Sequence, residues 1–194
     1  MKAVLLDRDG VINSERANYV RNWHEFRFLP TALSALAKLA TLPQPILVVS
    51  NQSAIGRGLV TRAMVDDIHS QLKERVEACG GRIDRFYLCP HHPDDGCMCR
   101  KPKPGLLLQA AQEFDLDLSQ CVFVGDSISD YQAATAVGCQ CILVRTGRQG
   151  AMLHLILSDK SQPLIVPDLN VAVSMILAEV APFEKGIKSD DGQY

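Results

Sequence analysis

The sequence predicts an α/β protein organised around a central parallel sheet with helices on both faces. Two observations carry that prediction. Short, wholly apolar runs alternate with longer stretches of helical periodicity, the pattern of repeated strand and helix units. Four of those runs also lead into polar residues. Ala3-Val4-Leu5-Leu6 leads into Asp7-Arg8-Asp9-Gly10, and Ile46-Leu47-Val48-Val49 into Ser50-Asn51. Phe86-Tyr87-Leu88 leads through a cysteine-rich loop to Arg100-Lys101, and Val122-Phe123-Val124 into Gly125-Asp126. Strands that are apolar on both sides belong to sheets covered on both faces. Ligands of such sheets gather at the carboxyl ends of the strands.

The elements follow in order. The first strand covers residues 3–6, and residues 10–30 are mixed and polar, a loop beside its end. Thr31 stands where a helix cap belongs, before Leu33, Leu36 and Leu39 on one face. Pro43 and Pro45 stop that helix before the second strand. Thr61 is the expected cap of a longer helix, in which Met64, Val65, Ile68, Leu72 and Val76 keep helical spacing until Gly80-Gly81. The third strand spans 85–89. Pro104 and Gly105 introduce a helix carrying Leu106, Leu107, Ala110, Ala111 and Phe114. The fourth strand spans 121–124, a helix runs from about residue 128 to Gly138, and 139–144 form the fifth strand. Residues 146–162 carry no clear period. Leu164-Ile165-Val166 reads as a short edge strand, and Asp168 as the cap of a last helix ending before Pro182. Residues 1–182 are therefore expected to form one domain, with 183–194 a disordered polar tail. No stretch is long enough for a second domain, so any lid over a site is made of loops.

A chain of 194 residues supports one sizeable core. Its net charge of -2 gives no general attraction to nucleic acid or anionic membrane, so a phosphate site must be locally basic. No apolar run approaches the ~20 residues of a membrane span, and Met1-Lys2-Ala3 enters a strand without an export pattern. A cytoplasmic monomer is expected, with no membrane or nucleic-acid partner. The 7 cysteines are an odd number. Their clustering beside two histidines favours a metal in a reducing compartment over a disulfide framework.

Asp7 and Asp9 lie two apart on an extended chain, so their carboxylates point the same way and can face one phosphate. Their repulsion favours a bound cation, or raises one pKa so that the group can act as an acid. Gly10 permits the close turn that follows. Ser50 can donate to a phosphoryl oxygen, and the backbone N–H groups of residues 51–53 can add to it. Lys101 supplies a point charge, and Asp126 a hard oxygen ligand for magnesium. Asp130, one turn into a helix, can brace the metal site. Each has a bland reading alone: strand-end aspartates cap loops, and a lone lysine is a solvated charge. Together, at the strand ends of one α/β chain, they point to a magnesium-dependent phosphate site.

The stretch Cys89-Pro90-His91-His92-Pro93-Asp94-Asp95-Gly96-Cys97-Met98-Cys99 reads C-x-H-x5-C-x-C. Three thiolates and one imidazole complete a tetrahedral zinc shell with no open position, which means a structural site at Cys89, His91, Cys97 and Cys99. His92 is the alternative to His91. The loop is too short for a core of its own, so metal would hold its shape. Zinc would then fix Arg100 and Lys101 at the mouth of the site.

On these residues the chain resembles the haloacid dehalogenase (HAD) superfamily of phosphatases. Asp7-Arg8-Asp9-Gly10-Val11-Ile12-Asn13 is similar to its first motif and Ser50-Asn51-Gln52 to its second. Lys101 is similar to the third, and Gly125-Asp126-Ser127-Ile128-Ser129-Asp130 to the fourth. The resemblance implies a Rossmann-like parallel sheet without a separate cap domain. It implies that Asp7 attacks phosphorus and becomes an aspartyl phosphate. Asp9 would protonate the leaving oxygen and then activate water. Mg²⁺ would sit on Asp7, the Asp9 carbonyl and Asp126, with Ser50 and Lys101 stabilising the phosphoryl group.

Within the superfamily, the zinc loop followed by Arg100-Lys101-Pro102 resembles the cap-less phosphatases of heptose bisphosphate and of histidinol phosphate. The segment Asn51-Gln52-Ser53-Ala54-Ile55-Gly56-Arg57-Gly58 is more similar to the heptose group. A small phosphorylated sugar is thus the implied substrate. Asn51, Gln52, Ser53 and Arg57 would contact it, and Arg100 would pair with a second phosphate. The stretch from Glu15 to Tyr19 lies where that family meets sugar hydroxyls. Ser50 replaces the commoner threonine and keeps the hydroxyl, Ala54 and Gly56 exchange small residues, and Ser127 stands where lysine is frequent. A non-catalytic zinc-organised binding module is opposed by the intact Asp7, Asp9, Lys101 and Asp126. A nucleic-acid 3′-phosphatase is opposed by the lack of a basic stripe.

Overall fold

The computed structural model describes residues 1–150, 152–153 and 163–180. These residues include six strands: β1 (Val4–Leu6), β2 (Ile46–Asn51), β3 (Arg85–Cys89), β4 (Val122–Gly125), β5 (Gln140–Val144) and β6 (Leu164–Val166). They form one sheet in the order β3-β2-β1-β4-β5-β6, and every pairing is parallel. The helices are α1 (Ala32–Leu39), α2 (Ser53–Gly56), α3 (Arg62–Ala78), α4 (Gly105–Phe114), α5 (Ile128–Thr135) and α6 (Leu169–Val180).

The side-chain alternation of the strands divides the core in two. Val4, Leu6, Ile46, Val48, Val122, Val124, Ile142 and Val144 face α1, α3 and α6. Leu5, Leu47, Val49, Phe123 and Leu143 face α4 and α5. Leu5 lies opposite both Leu47 and Phe123, so the alternation stays in phase across the sheet. Each such side chain contributes roughly 1.5–3 kcal/mol by leaving water. Strand order changes direction between β1 and β4, and the crevice at that point is where a doubly wound sheet holds its ligand.

Several local expectations are refined. Thr61 caps α3 as expected, its hydroxyl accepting from the Met64 N–H at 3.2 Å. Asp168 caps α6, its carboxylate accepting from the Val171 N–H at 3.0 Å. Thr31 precedes α1 but does not cap it with its side chain, because its backbone is left-handed (φ 69°). Its hydroxyl instead approaches Asp168 at 3.5 Å, tying α1 to the start of α6. Helix α5 stops at Thr135, short of Gly138, whose φ of 68° turns the chain into β5. Strand β4 begins at Val122, because the Cys121 N–H closes a 3-10 turn onto the Leu118 carbonyl at 3.1 Å. The polar segment after β1 is anchored by buried Val11, Ile12, Val20 and Phe26. No described helix is long and apolar enough to cross a membrane. The expected tail at 183–194 and most of the segment 146–162 lie outside the described residues.

Candidate active site

Asp7 follows β1, with its N–H donating to the Val124 carbonyl of β4 at 2.9 Å. This places it at the crevice. Asp126 follows β4, and Asp130 sits in the first turn of α5. One carboxylate oxygen from each of Asp7, Asp126 and Asp130 lies within 4.8 Å of the others. Lys101, 3 % exposed, enters this group from the end of the cysteine loop. Its Nζ lies 2.7 Å from Asp7 Oδ1 and 2.7 Å from Asp130 Oδ1, and donates to the Val49 carbonyl at 2.9 Å. Three acids against one cation leave an excess of negative charge. Burial pushes Asp7 up to about 7, with Asp130 and Asp9 adding and Lys101 opposing. Burial likewise pushes Asp126 up to about 9, reinforced by Asp7 and Asp130. Burial works to lower the Lys101 pKa, but Asp130 and Asp7 outweigh it and raise it.

Asp130 also organises the backbone. Its Oδ2 accepts from the N–H groups of Asp126 and Ser127, both at 3.1 Å, and from the Ser127 hydroxyl at 2.7 Å. Asp130 thus holds the backbone that carries Asp126, and Ser127 caps α5 in return. Space for the Asp126 carboxyl comes from two glycines. A Cβ on Gly10 would lie 2.4 Å from Asp126 Oδ2, and one on Gly147 only 1.6 Å. Gly10 also makes the close turn expected of it, with φ 83°. Gly147 lies in a segment with no periodicity, and no local signal marks it.

Asp9 differs from the other acids. Arg8 Nη2 donates to both of its oxygens at 2.9 and 2.8 Å, Asn13 to Oδ1 at 2.9 Å and Gln52 to Oδ2 at 2.8 Å. Burial works against ionisation here, but the Arg8 charge and the bonds from Asn13, Arg8 and Gln52 outweigh it and lower the pKa. The repulsion between the two aspartates therefore raises Asp7, not Asp9. Behind Arg8 stands His69 of α3, with Nε2 at 3.3 Å from Nη1. Burial and the Arg8 charge push His69 down to about 3, so its imidazole is neutral.

The second-strand residues serve each other before any ligand. Gln52 Nε2 also donates to the buried Ser50 hydroxyl at 2.8 Å. Asn51, expected as a substrate contact, spends its amide on Lys101: Nδ2 donates to the Lys101 carbonyl and Oδ1 accepts from its N–H, both at 3.1 Å. Ser53 begins the one-turn helix α2.

These residues wall a cleft of about 410 Å³. Asp7, Asp9, Ser50, Asn51, Gln52, Ser53, Lys101 and Asp126 line it, as do Tyr19 and Arg100. Arg100 Nη1 is buried and has no hydrogen-bond partner among the described residues. Arg57 is exposed at the end of α2 and is not among the lining residues, so the structure does not bring it to the cleft. Arg16 lines it too, within the stretch 15–19, whereas no sequence signal marks Ser129, Arg148 or Gln149 for the lining. Arg148 is held 3.3 Å from Glu15 across 133 residues of sequence, a pairing no local pattern announces.

The cysteine loop folds against this wall. Sγ of Cys89 lies 3.5 Å from that of Cys97 and 3.2 Å from that of Cys99, and Cys97 and Cys99 are 3.5 Å apart. His91 Nδ1 is 3.5 Å from Cys89 Sγ and 3.2 Å from Cys99 Sγ. Arms of ~2.3 Å in a tetrahedral zinc shell put sulfurs roughly 3.7 Å apart, so four soft donors at this spacing fit zinc. His92 is not in the group. It caps the 3-10 turn at Pro93–Asp95, with Nδ1 accepting from the Asp94 N–H at 3.2 Å. The loop reaches α2 through Gly56, where a Cβ would meet His92 N at 2.3 Å.

A doubly wound parallel sheet with an aspartate after β1, a hydroxyl near the carboxyl end of β2, a buried lysine and acids after β4 defines a HAD-type phosphatase. Comparison with known proteins agrees, and the chain belongs to the HAD family of phosphatases. The HAD-hydrolase-like family model matches residues 98–172. The chain is 42 % identical to the D-glycero-beta-D-manno-heptose-1,7-bisphosphate 7-phosphatase of Pseudomonas aeruginosa, over 90 % of this chain and 97 % of that one. It is 40 % identical to the D-glycero-alpha-D-manno-heptose-1,7-bisphosphate 7-phosphatase of Mycobacterium tuberculosis, over 77 % and 82 % of the two chains. The solved D,D-heptose 1,7-bisphosphate phosphatase of Bordetella bronchiseptica, a complex with magnesium and phosphate, superposes with a TM-score of 0.87. That pair is 37 % identical and covers 92 % of this chain and 99 % of the other.

Proposed function

We propose that the protein removes the 7-phosphate of D-glycero-D-manno-heptose 1,7-bisphosphate, through an aspartyl phosphate on Asp7. The observation that carries the chemistry is the junction of Asp7, Asp126 and Asp130 around Lys101 at the switch point of the sheet. The sugar is supported by the relatives, which match over nearly the whole chain. The buried, unpaired donor of Arg100 in the cleft wall supports a second anionic group on the substrate.

Asp7 Oδ1, already paired with Lys101, marks where the in-line attack begins. Lys101 then stabilises charge on the transferred group, and Ser50 Oγ can turn its proton towards it. Asp9 is held as a carboxylate by four N–H contacts, so it must release one of them to carry the proton it gives to the leaving oxygen. Its ionised form is the base that activates water in the second step. Asp7, Asp126 and the Asp9 carbonyl would hold magnesium, which when bound neutralises the phosphoryl oxygens. The excess negative charge and the glycine cradle fit a small hard cation. Cys89, His91, Cys97 and Cys99 would hold zinc, which keeps Arg100 and Lys101 in place. Arg57 has no part in this scheme.

The test is a kinetic panel with magnesium: α and β heptose bisphosphates, fructose 1,6-bisphosphate and histidinol phosphate, ranked by kcat/KM. A heptose bisphosphate is expected to lead, and Asp7→Asn to lose turnover by orders of magnitude with its fold intact. Histidinol phosphate in first place would refute the sugar. Wild-type turnover by Asp7→Asn would refute the mechanism.

A further inference from the structure

Arg8 sits between the two aspartates of the first motif, yet it is 1 % exposed and lies outside the cleft lining. We propose that His69, on α3, is a positioning residue for the general acid, acting through Arg8 to fix the Asp9 carboxylate. The proposal rests on the reading of Asp9 as the proton donor to the leaving oxygen.

The geometry is a relay of fixed side chains. A guanidinium has only donors, so at 3.3 Å the His69 Nε2 accepts from Arg8 Nη1, and the ring proton is on Nδ1. His69 is itself immobilised. It is 5 % exposed, and its ring stacks on Phe86 of β3 with centroids 4.3 Å apart and planes 12° from parallel. Among the described residues Nη1 has no other partner and Arg8 Nε has none. His69 is therefore what sets the rotation of the guanidinium. That rotation puts Nη2 within 2.9 Å of both Asp9 oxygens. The other donors to Asp9, Asn13 and Gln52, are neutral amides, so Arg8 is the charged group that sets the carboxylate's position.

Loss of the His69 acceptor would leave Nη1 buried and unpaired, and the guanidinium would turn to find another partner. Asp9 would then be misplaced by a change two links away. Acid catalysis matters in proportion to the basicity of the leaving oxygen. A sugar alkoxide needs the proton, whereas p-nitrophenolate leaves without it. The signature of the relay is thus a loss that depends on the leaving group.

Two variants separate the acceptor from the ring. His69→Phe keeps a ring on Phe86 but removes the acceptor. His69→Gln removes the ring but supplies a carbonyl oxygen. kcat/KM is measured on heptose 1,7-bisphosphate and on p-nitrophenyl phosphate, well below each variant's Tm. His69→Phe is expected to lose about tenfold or more on the sugar phosphate and less than about threefold on the aryl phosphate. His69→Gln is expected to recover most of the sugar-phosphate activity. Equal losses on both substrates, no loss in His69→Phe, or a His69→Gln variant as poor as His69→Phe would each overturn the proposal. Asp7→Asn, assayed in parallel, separates the two levels. If it is inactive while His69→Phe is normal, only the relay falls. If Asp7→Asn is itself active, the phosphatase reading falls and takes the relay with it.

Discussion

Gly147→Ala is the substitution whose consequence follows most directly from the geometry. The added carbon would stand 1.6 Å from Asp126 Oδ2, 2.4 Å from Cγ and 2.7 Å from Cβ. Ordinary carbon–oxygen contact begins at about 3.4 Å, so the carboxyl must retreat by roughly 1.5–2 Å. It cannot retreat toward Gly10, where a Cβ would lie 2.4 Å from the same oxygen and 3.0 Å from Gly147 Cα. The two backbones therefore clamp the carboxyl, and the alanine expels it sideways. Magnesium–oxygen bonds tolerate little departure from about 2.0–2.1 Å, so Asp126 would be lost as a ligand. A misplacement of about 1 Å already costs on the order of 10²-fold in rate. The expected outcome is a fall in kcat of about that size, with the magnesium activation curve moved at least tenfold to higher concentration. Gly80→Ala is the control. It meets nothing within 4 Å, and at φ 78° it should cost roughly 1–2 kcal/mol of stability with unchanged kinetics. A Gly147→Ala enzyme with wild-type kcat and magnesium dependence would refute the clamp.

Other outcomes test other parts of the site. Asp7 is raised from 3.8 to about 7 and Asp126 from 3.8 to about 9, so the metal-free native state binds more protons than the unfolded chain across that range. Stability from these groups is full below about pH 4 and is lost as pH rises through 7 and 9. Magnesium replaces those protons, so it should raise Tm more at pH 8.5 than at pH 5.5; equal shifts in calorimetry would contradict the assignment. Asp130→Asn breaks a buried ion pair with Lys101 and should cost about 3 kcal/mol in urea unfolding; an unchanged midpoint would show that Asp7 alone satisfies Lys101. Cys97→Ser should lower the zinc content of freshly purified protein and raise KM through Arg100. Native protein without zinc by metal analysis would remove the zinc assignment.

The strands, their buried faces and the polar residues that follow them were legible in the sequence. A stretch such as Ile46-Leu47-Val48-Val49 records its two-sided burial locally, whatever its neighbours are. The Cys/His cluster was legible for the same reason, since its four side chains lie within eleven residues. Only the tertiary structure decided how the polar groups are spent. Asn51 reaches across 50 residues to hold the backbone of Lys101 rather than a ligand. Lys101 meets Asp7 across 94 residues, and His69 meets Arg8 across 61. Arg57 lies in a motif-like segment yet points to solvent, and Gly147, without any pattern around it, shapes the Asp126 site. Periodicity and turn chemistry report each residue's own burial and backbone. Partnership between distant side chains depends on sheet register and helix packing, which no short window of sequence contains.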